Sequence, residues 1–214
     1  MSLESTPDEI GHRRRLLDDP LVIRALAHPL RLELLTYVLR EPGLTTADAA
    51  RELGISHGLA SHHLRQLAKY GFVEQVHGKD NRERPWRATA TGLDWPTTSD
   101  SEGAAAGRVL EQIFAERGLR GLLDWQQRRD DWAPSWHEHT GLGQSIVYLT
   151  LPELAELSTT INNAINRYVD ERPLDDVSKR PAGAVPIDIT MFVVPLANSS
   201  DGTPADDPSD TPEA

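Results

Sequence analysis

The chain has 214 residues, 38% hydrophobic and 26% charged, with a net charge of −11 and no cysteine. That length suits one domain or two small ones, and the missing cysteine removes disulfides, thiolate metal ligands and cysteine nucleophiles together. No stretch reaches the ~20 apolar residues that span a bilayer and no secretory pattern opens the chain, so the expectation is a soluble cytoplasmic protein without a membrane partner.

Residues 1–19 are polar, carry the run Arg13-Arg14-Arg15, and read as a disordered arm or frayed helix. Leu21 to Ala27 predicts a short helix, which His28-Pro29 ends because the residue before proline avoids the helical region. Pro29 suits the first turn of a second helix. It runs to about Arg40 with Leu30, Leu34, Leu35, Val38 and Leu39 near one face, and Glu41-Pro42-Gly43 breaks it. Thr45 or Thr46 caps a third, short helix, with Asp48 placed for a capping box. Its inward residues are Ala49, Ala50 and Leu53, and Gly54 stops it. Ser56 caps a fourth helix from His57 to about Tyr70, whose inward residues are Ala60, His63, Leu64 and Leu67. Phe72–Val76 and Pro85–Thr91 read as two strands around the polar turn Gly78–Arg84, with Trp86 as the large apolar residue. A helix-turn-helix followed by such a hairpin is a winged helix.

Beyond Pro96 the pattern changes. Asp100 to about Asp131 is helical, with Gly118 and Gly121 weakening it, so it is one helix or two. Ser145–Leu149 reads as a strand. Thr150 and Glu153 form a capping box for a helix to about Glu171, and Val185–Val194 reads as a last strand. Asn198–Ala214 reads as a disordered acidic tail. The fold class expected is α+β, mainly α. A disordered arm (1–19) precedes a winged helix-turn-helix DNA-binding domain (20–96). A helical plus strand-helix-strand region for dimerisation or sensing (97–196) and the acidic tail (197–214) follow. A lone strand-helix-strand unit has a two-stranded sheet, which is marginal by itself. It should pack on the long helix, on a partner subunit, or on both, with the Asp100–Asp131 helix as the dimer interface.

The informative segment is Thr46 to Arg65. Two closely crossing helices need a small residue at the contact, and Ala50 fits; the turn needs a residue tolerant of positive φ, and Gly54 fits. In this arrangement the second helix lies in the major groove with its N-terminal half towards base edges. Its outward residues are Ser56, His57, Gly58, Ser61, His62 and Arg65. Arg65 can pair bidentately with guanine, and Ser61 or His62 can donate or accept. Thr45, Thr46 and Lys69 are placed for phosphates, and Lys79, Arg82 and Arg84 on the wing for the backbone or the minor groove. Charge follows this division. Pro20–Ala90 carries 10 Lys+Arg against 7 Asp+Glu, whereas Thr91–Ala214 carries 9 against 21. Local cations, more than the net charge, displace counterions from phosphates.

The stretch Ala25-Leu26-Ala27-His28-Pro29-Leu30-Arg31-Leu32-Glu33-Leu34-Leu35 resembles the opening of the ArsR-type winged-helix repressors. Ala60-Ser61-His62-His63-Leu64-Arg65-Gln66-Leu67, followed by Gly71-Phe72-Val73, resembles their recognition helix and first wing strand. The resemblance covers roughly Leu21 to Gly92. It implies a homodimeric repressor or activator on an operator with two-fold symmetry, with His63 packing inward instead of reading bases. Where the family's metal sensors carry a thiolate motif, this chain has Thr46-Ala47-Asp48-Ala49-Ala50, which excludes that type of sensor.

The weaker signals have plainer readings. His137-Glu138-His139 lacks a third metal ligand and reads as a solvated loop. Trp125, Trp132 and Trp136 either line an apolar pocket or pack between the long helix and the C-terminal unit. Asp130, Asp131 and Glu138 sit in no enzyme motif, and no phosphate loop or nucleophile elbow is present, so no catalytic residue, metal or cofactor is expected. The sequence therefore points to a sequence-specific DNA-binding regulator, a homodimeric repressor reading an inverted repeat in double-stranded DNA through helix 57–70. An unknown effector at the C-terminal region is compatible with this. The alternative is a winged-helix module for protein or RNA without operator binding.

Overall fold

The computed structural model describes residues 14–41, 43–77, 84–95, 102–174 and 176–196. Four helices form the N-terminal unit: α1 (Pro20–Leu26), α2 (Pro29–Arg40), α3 (Thr46–Glu52) and α4 (His57–Lys69). Each start has a local cause. Pro20 and Pro29 open α1 and α2, whose first amides bond to the side chains of Asp19 and His28. Thr45 and Asp48 close a reciprocal capping box on α3, and Ser56 accepts from the Leu59 amide at the start of α4. The turn between α3 and α4 rests on Gly54 at φ 62°, left-handed backbone that a side chain would strain.

The core is one cluster in which Ile23, Leu26, Leu34, Leu35, Ala49, Leu64 and Leu67 of the four helices meet Phe72, Val73 and Trp86 of the wing. The inward faces expected of α3 and α4 are observed, with Ala49, Ala50, Ala60, His63, Leu64 and Leu67 all buried. The wing strands, β2 (Val73–Gln75) and β3 (Trp86–Ala88), pair antiparallel, placing Gln75 opposite Trp86. Leu44 bridges to Trp86, so the wing is tied to the α2–α3 connection as well as to α4.

Two features depart from the sequence reading. Residues 14–16, expected in a disordered arm, form β1 (Arg14–Leu16), which pairs in parallel with β4 (Gly92–Asp94). The reason is specific partnering. Arg14 ion-pairs with Asp94, Arg15 donates to the Gly71 carbonyl at 2.8 Å and stacks over Phe72, and Leu17 is buried in the core. Residues 1–13 and 197–214, the remainder of the expected arm and the acidic tail, lie outside the described residues.

The second departure is in the C-terminal half. The long helix is continuous, α5 (Glu102–Gln127), and packs on α1 through Ala106 and Leu110. A 3₁₀ turn (Arg129–Asp131) and a short α6 (Pro134–His137) follow, then α7 (Leu151–Glu171), which begins at the expected Thr150–Glu153 capping box. The strands expected at Ser145–Leu149 and Val185–Val194 are not formed: neither segment joins a ladder, and α7 has no buried residue. Their sequences are strand-like, but a strand requires a neighbour to receive its amides and carbonyls. Among the described residues, no helix is long and apolar enough to cross a membrane.

Candidate nucleic-acid interface

Helix α4 is divided lengthwise. Ala60, His63, Leu64 and Leu67 anchor one side in the core, while Ser56, His57, Gly58, His62, Arg65 and Lys69 are exposed and Ser61 is half-buried between them. The division follows from the helical repeat, since residues three and four apart share a face. Seven of the sequence-selected residues, from Ser56 to Lys69, are thereby brought onto or beside one exposed helix surface. Ser56 spends its hydroxyl on the helix cap, at 3.2 Å from the Leu59 amide. Arg65 folds back so that Nε donates to the Ser61 carbonyl at 3.1 Å, leaving its terminal nitrogens outward. Lys69 lies over the Tyr70 ring, with Nζ 5.3 Å from the centroid.

The threonines at the start of α3 have partners within the domain. The Thr45 hydroxyl donates to the Asp48 carboxylate at 2.6 Å and accepts from the Asp48 amide at 3.2 Å. These bonds, with Arg51 on the other carboxylate oxygen, hold the Asp48 carboxyl below its usual range. Thr46 accepts from the Trp86 indole N–H at 3.0 Å, a bond joining α3 to the wing. Both side chains are thus occupied in holding the scaffold. On the wing, Arg84 is exposed, whereas Lys79 and Arg82 lie outside the described residues. A wing cation that the sequence reading did not select, Arg87 on β3, ion-pairs with Glu74 across the hairpin at 2.6 Å. The alternating strand pattern could have indicated that pair only with the register known.

Behind α4 lies a cluster of imidazoles. The rings of His28 and His63 are 4.7 Å apart, and those of His62 and His63 are 5.1 Å apart and edge-on. His28 Nδ1 accepts from the Leu30 amide at 3.2 Å, which requires that nitrogen to be unprotonated. Burial, with neighbouring His28, His62 and Arg31, pushes the His63 pKa down; burial and Arg31 do the same to His28. His63 packs inward, as expected. The cluster holds no group of three or more ligands that could bind a metal, nor does any other place among the described residues. His137 instead bonds to the Arg129 carbonyl at 2.8 Å. The tryptophans pack on their neighbours: Trp132 against Trp136 with ring centroids 5.4 Å apart, and Trp125 under the Arg129 guanidinium.

A family described as a helix-turn-helix domain matches residues 26–76, the stretch from the end of α1 to just past β2. Comparison with curated proteins finds none that matches the chain. Among solved structures, the chain is similar to a MepR mutant from S. aureus bound to an oligodeoxyribonucleotide. The identity is 16% and the TM-score 0.30, over 67% of this chain and 87% of that one. It is similar also to wild-type MarR from E. coli in its apo form, at 17% identity and a TM-score of 0.30, over 69% of this chain and 87% of that one. The chain is mainly helical, and residues 26–76 match a helix-turn-helix domain to which the strands β2 and β3 add a wing.

Proposed function

We propose that the protein is a sequence-specific transcriptional regulator, a homodimeric repressor of the ArsR type that reads an inverted repeat in duplex DNA through α4. The observation that carries this reading is the lengthwise division of α4. A helix anchored by four buried residues presents His57, Gly58, His62, Arg65 and Lys69 to solvent on a rigid support. A helix of this kind fits the major groove. Ser61, His62 and Arg65 are assigned to base edges, and Lys69 with the wing cations Lys79, Arg82 and Arg84 to phosphates. Thr45 and Thr46 are likewise assigned to phosphates, with their side chains held by the α3 cap and the Trp86 bond. Residues 97–196 are assigned to dimerisation and sensing. The ArsR-type assignment rests on the Ala25–Leu35 and Ala60–Leu67 motifs.

Selection of binding sites from random duplex DNA tests the reading. An enriched inverted repeat, with half-sites one helical turn or a multiple apart, is the expected result. A pool without enrichment at low salt, with the protein folded and dimeric, would overturn it and favour a protein or RNA partner.

A further inference from the structure

The C-terminal half holds an amount of uncovered apolar surface that a solitary chain does not sustain. In the segment 144–150, Ile146, Val147, Tyr148 and Leu149 are exposed, Tyr148 at 96%. In 184–196, Ile187, Ile189, Met191, Phe192, Val193, Val194 and Leu196 are exposed. Neither segment forms a ladder, and no backbone hydrogen bond between described residues is made by the amides of 145–149 or 185–196. Between them, α7 exposes Leu151, Leu157 and Tyr168.

The second segment is seated on α5 only at Asp188 and Thr190, since Phe192 and Val194 on the same side are exposed. Asp188 receives both terminal nitrogens of Arg117 on α5 at 2.7 and 2.8 Å. Thr190 sits so close to the same helix that a Cβ on Gly118 would meet its side chain at 2.7 Å, so only glycine permits the approach. The alternate residues Ile187, Ile189, Met191 and Val193 remain uncovered. Alternating β-branched and long apolar side chains of this kind suit a strand that a neighbour could complete.

We propose that a second copy of this chain supplies the other half: segments 145–149 and 185–194 of two copies pair into one intermolecular sheet, with the α7 helices closing over it. This deepens the homodimer reading by moving the interface from α5 alone to the C-terminal unit. The area argues for it. Among the described residues, sixteen large apolar side chains between Leu142 and Leu196 are 40% or more exposed, more than enough to supply the about 800 Å² that each partner buries in a standard interface. The pairing argues for it too. Two copies bring four strands, where one copy brings two, and a two-stranded sheet is marginal in water. Strands without a ladder pair most readily with strands of matching pattern, and an identical chain provides these by two-fold symmetry.

The test uses the full-length chain without DNA, so its outcome is independent of operator recognition. Sedimentation at micromolar concentration is expected to give twice the 23.7 kDa chain mass. The double substitution Ile189→Lys with Val193→Lys is expected to weaken self-association by about a hundredfold or more, because both charges would be buried. Far-UV circular dichroism checks that the helices survive. Because the chain has no cysteine, Tyr148→Cys alone provides a second readout: a short bifunctional thiol reagent is expected to link two copies covalently. A monomeric wild-type chain would overturn the proposal and point to a foreign partner. So would an unchanged dimer in the lysine variant, or the absence of linked copies from Tyr148→Cys. Retained dimerisation with lost operator binding in Arg65→Ala would separate this interface from the reading surface.

Discussion

Arg65 combines two properties that a base-reading side chain needs. Its stem is held to the helix by the Nε bond to Ser61, and its fork is free at the surface. Holding the stem lowers the entropy lost on binding, and the fork matches the paired acceptors of guanine. Arg65→Ala is therefore expected to weaken binding to the selected site by ~1–3 kcal/mol and to relax the preference at one base position. Repeating the selection with the variant checks this, and an unchanged preference would remove Arg65 from its role. Behind it, the His28–His63 pair makes the domain sensitive to acid. Both pKa values are lowered, so the folded state resists protons that the unfolded chain accepts. Stability is thus expected to be full above the unfolded histidine pKa of ~6.5 and to fall as pH drops below it. Protonating His28 would also remove the Nδ1 acceptor that caps α2. Urea midpoints at pH 7.5 and 5.5, at fixed protein concentration, measure the fall, and His63→Leu is expected to reduce it.

At the scale of elements, the reading helix depends on its cap and its anchor. Ser56→Ala removes the acceptor for the Leu59 amide and is expected to cost ~1 kcal/mol. Leu64→Ala opens a cavity beneath the exposed face and is expected to cost ~2–5 kcal/mol, measured by denaturant unfolding. The elements legible in the sequence were those with local causes. His28-Pro29 placed the end of α1 and proline at the first turn the start of α2, Thr45 and Thr150 with their partners three residues on placed α3 and α7, and Gly54 placed the turn before α4. Elements whose cause is distant were not legible. β1 exists because Asp94, eighty residues away, receives Arg14, and a run of three arginines does not disclose that partner. Gly118 looked like a flaw in α5, yet it is the place where Thr190 approaches. The threonines at 45 and 46 were read as phosphate contacts because hydroxyls near a helix start suit that role; the bonds to Asp48 and Trp86 depend on side-chain geometry that spacing does not reveal.

Across the whole molecule, charge and apolar surface are divided between the two halves. The balance of 10 cations to 7 anions over Pro20–Ala90 sits beside 9 to 21 over Thr91–Ala214, so attraction to DNA is local and the acidic half opposes indiscriminate binding. Lys69→Ala is accordingly expected to weaken all duplexes alike and to reduce the logarithmic salt slope by about one unit. A dimer closed through the C-terminal unit would carry two α4 helices on one body and so set the spacing of the half-sites. The most direct test is amide hydrogen exchange on the full-length protein with and without the duplex recovered by selection. New protection concentrated in peptides covering residues 56–70 and the wing is the expected result. Protection confined to residues 102–196, with α4 exchanging as in the free protein, would contradict the assignment of α4 as the reading helix.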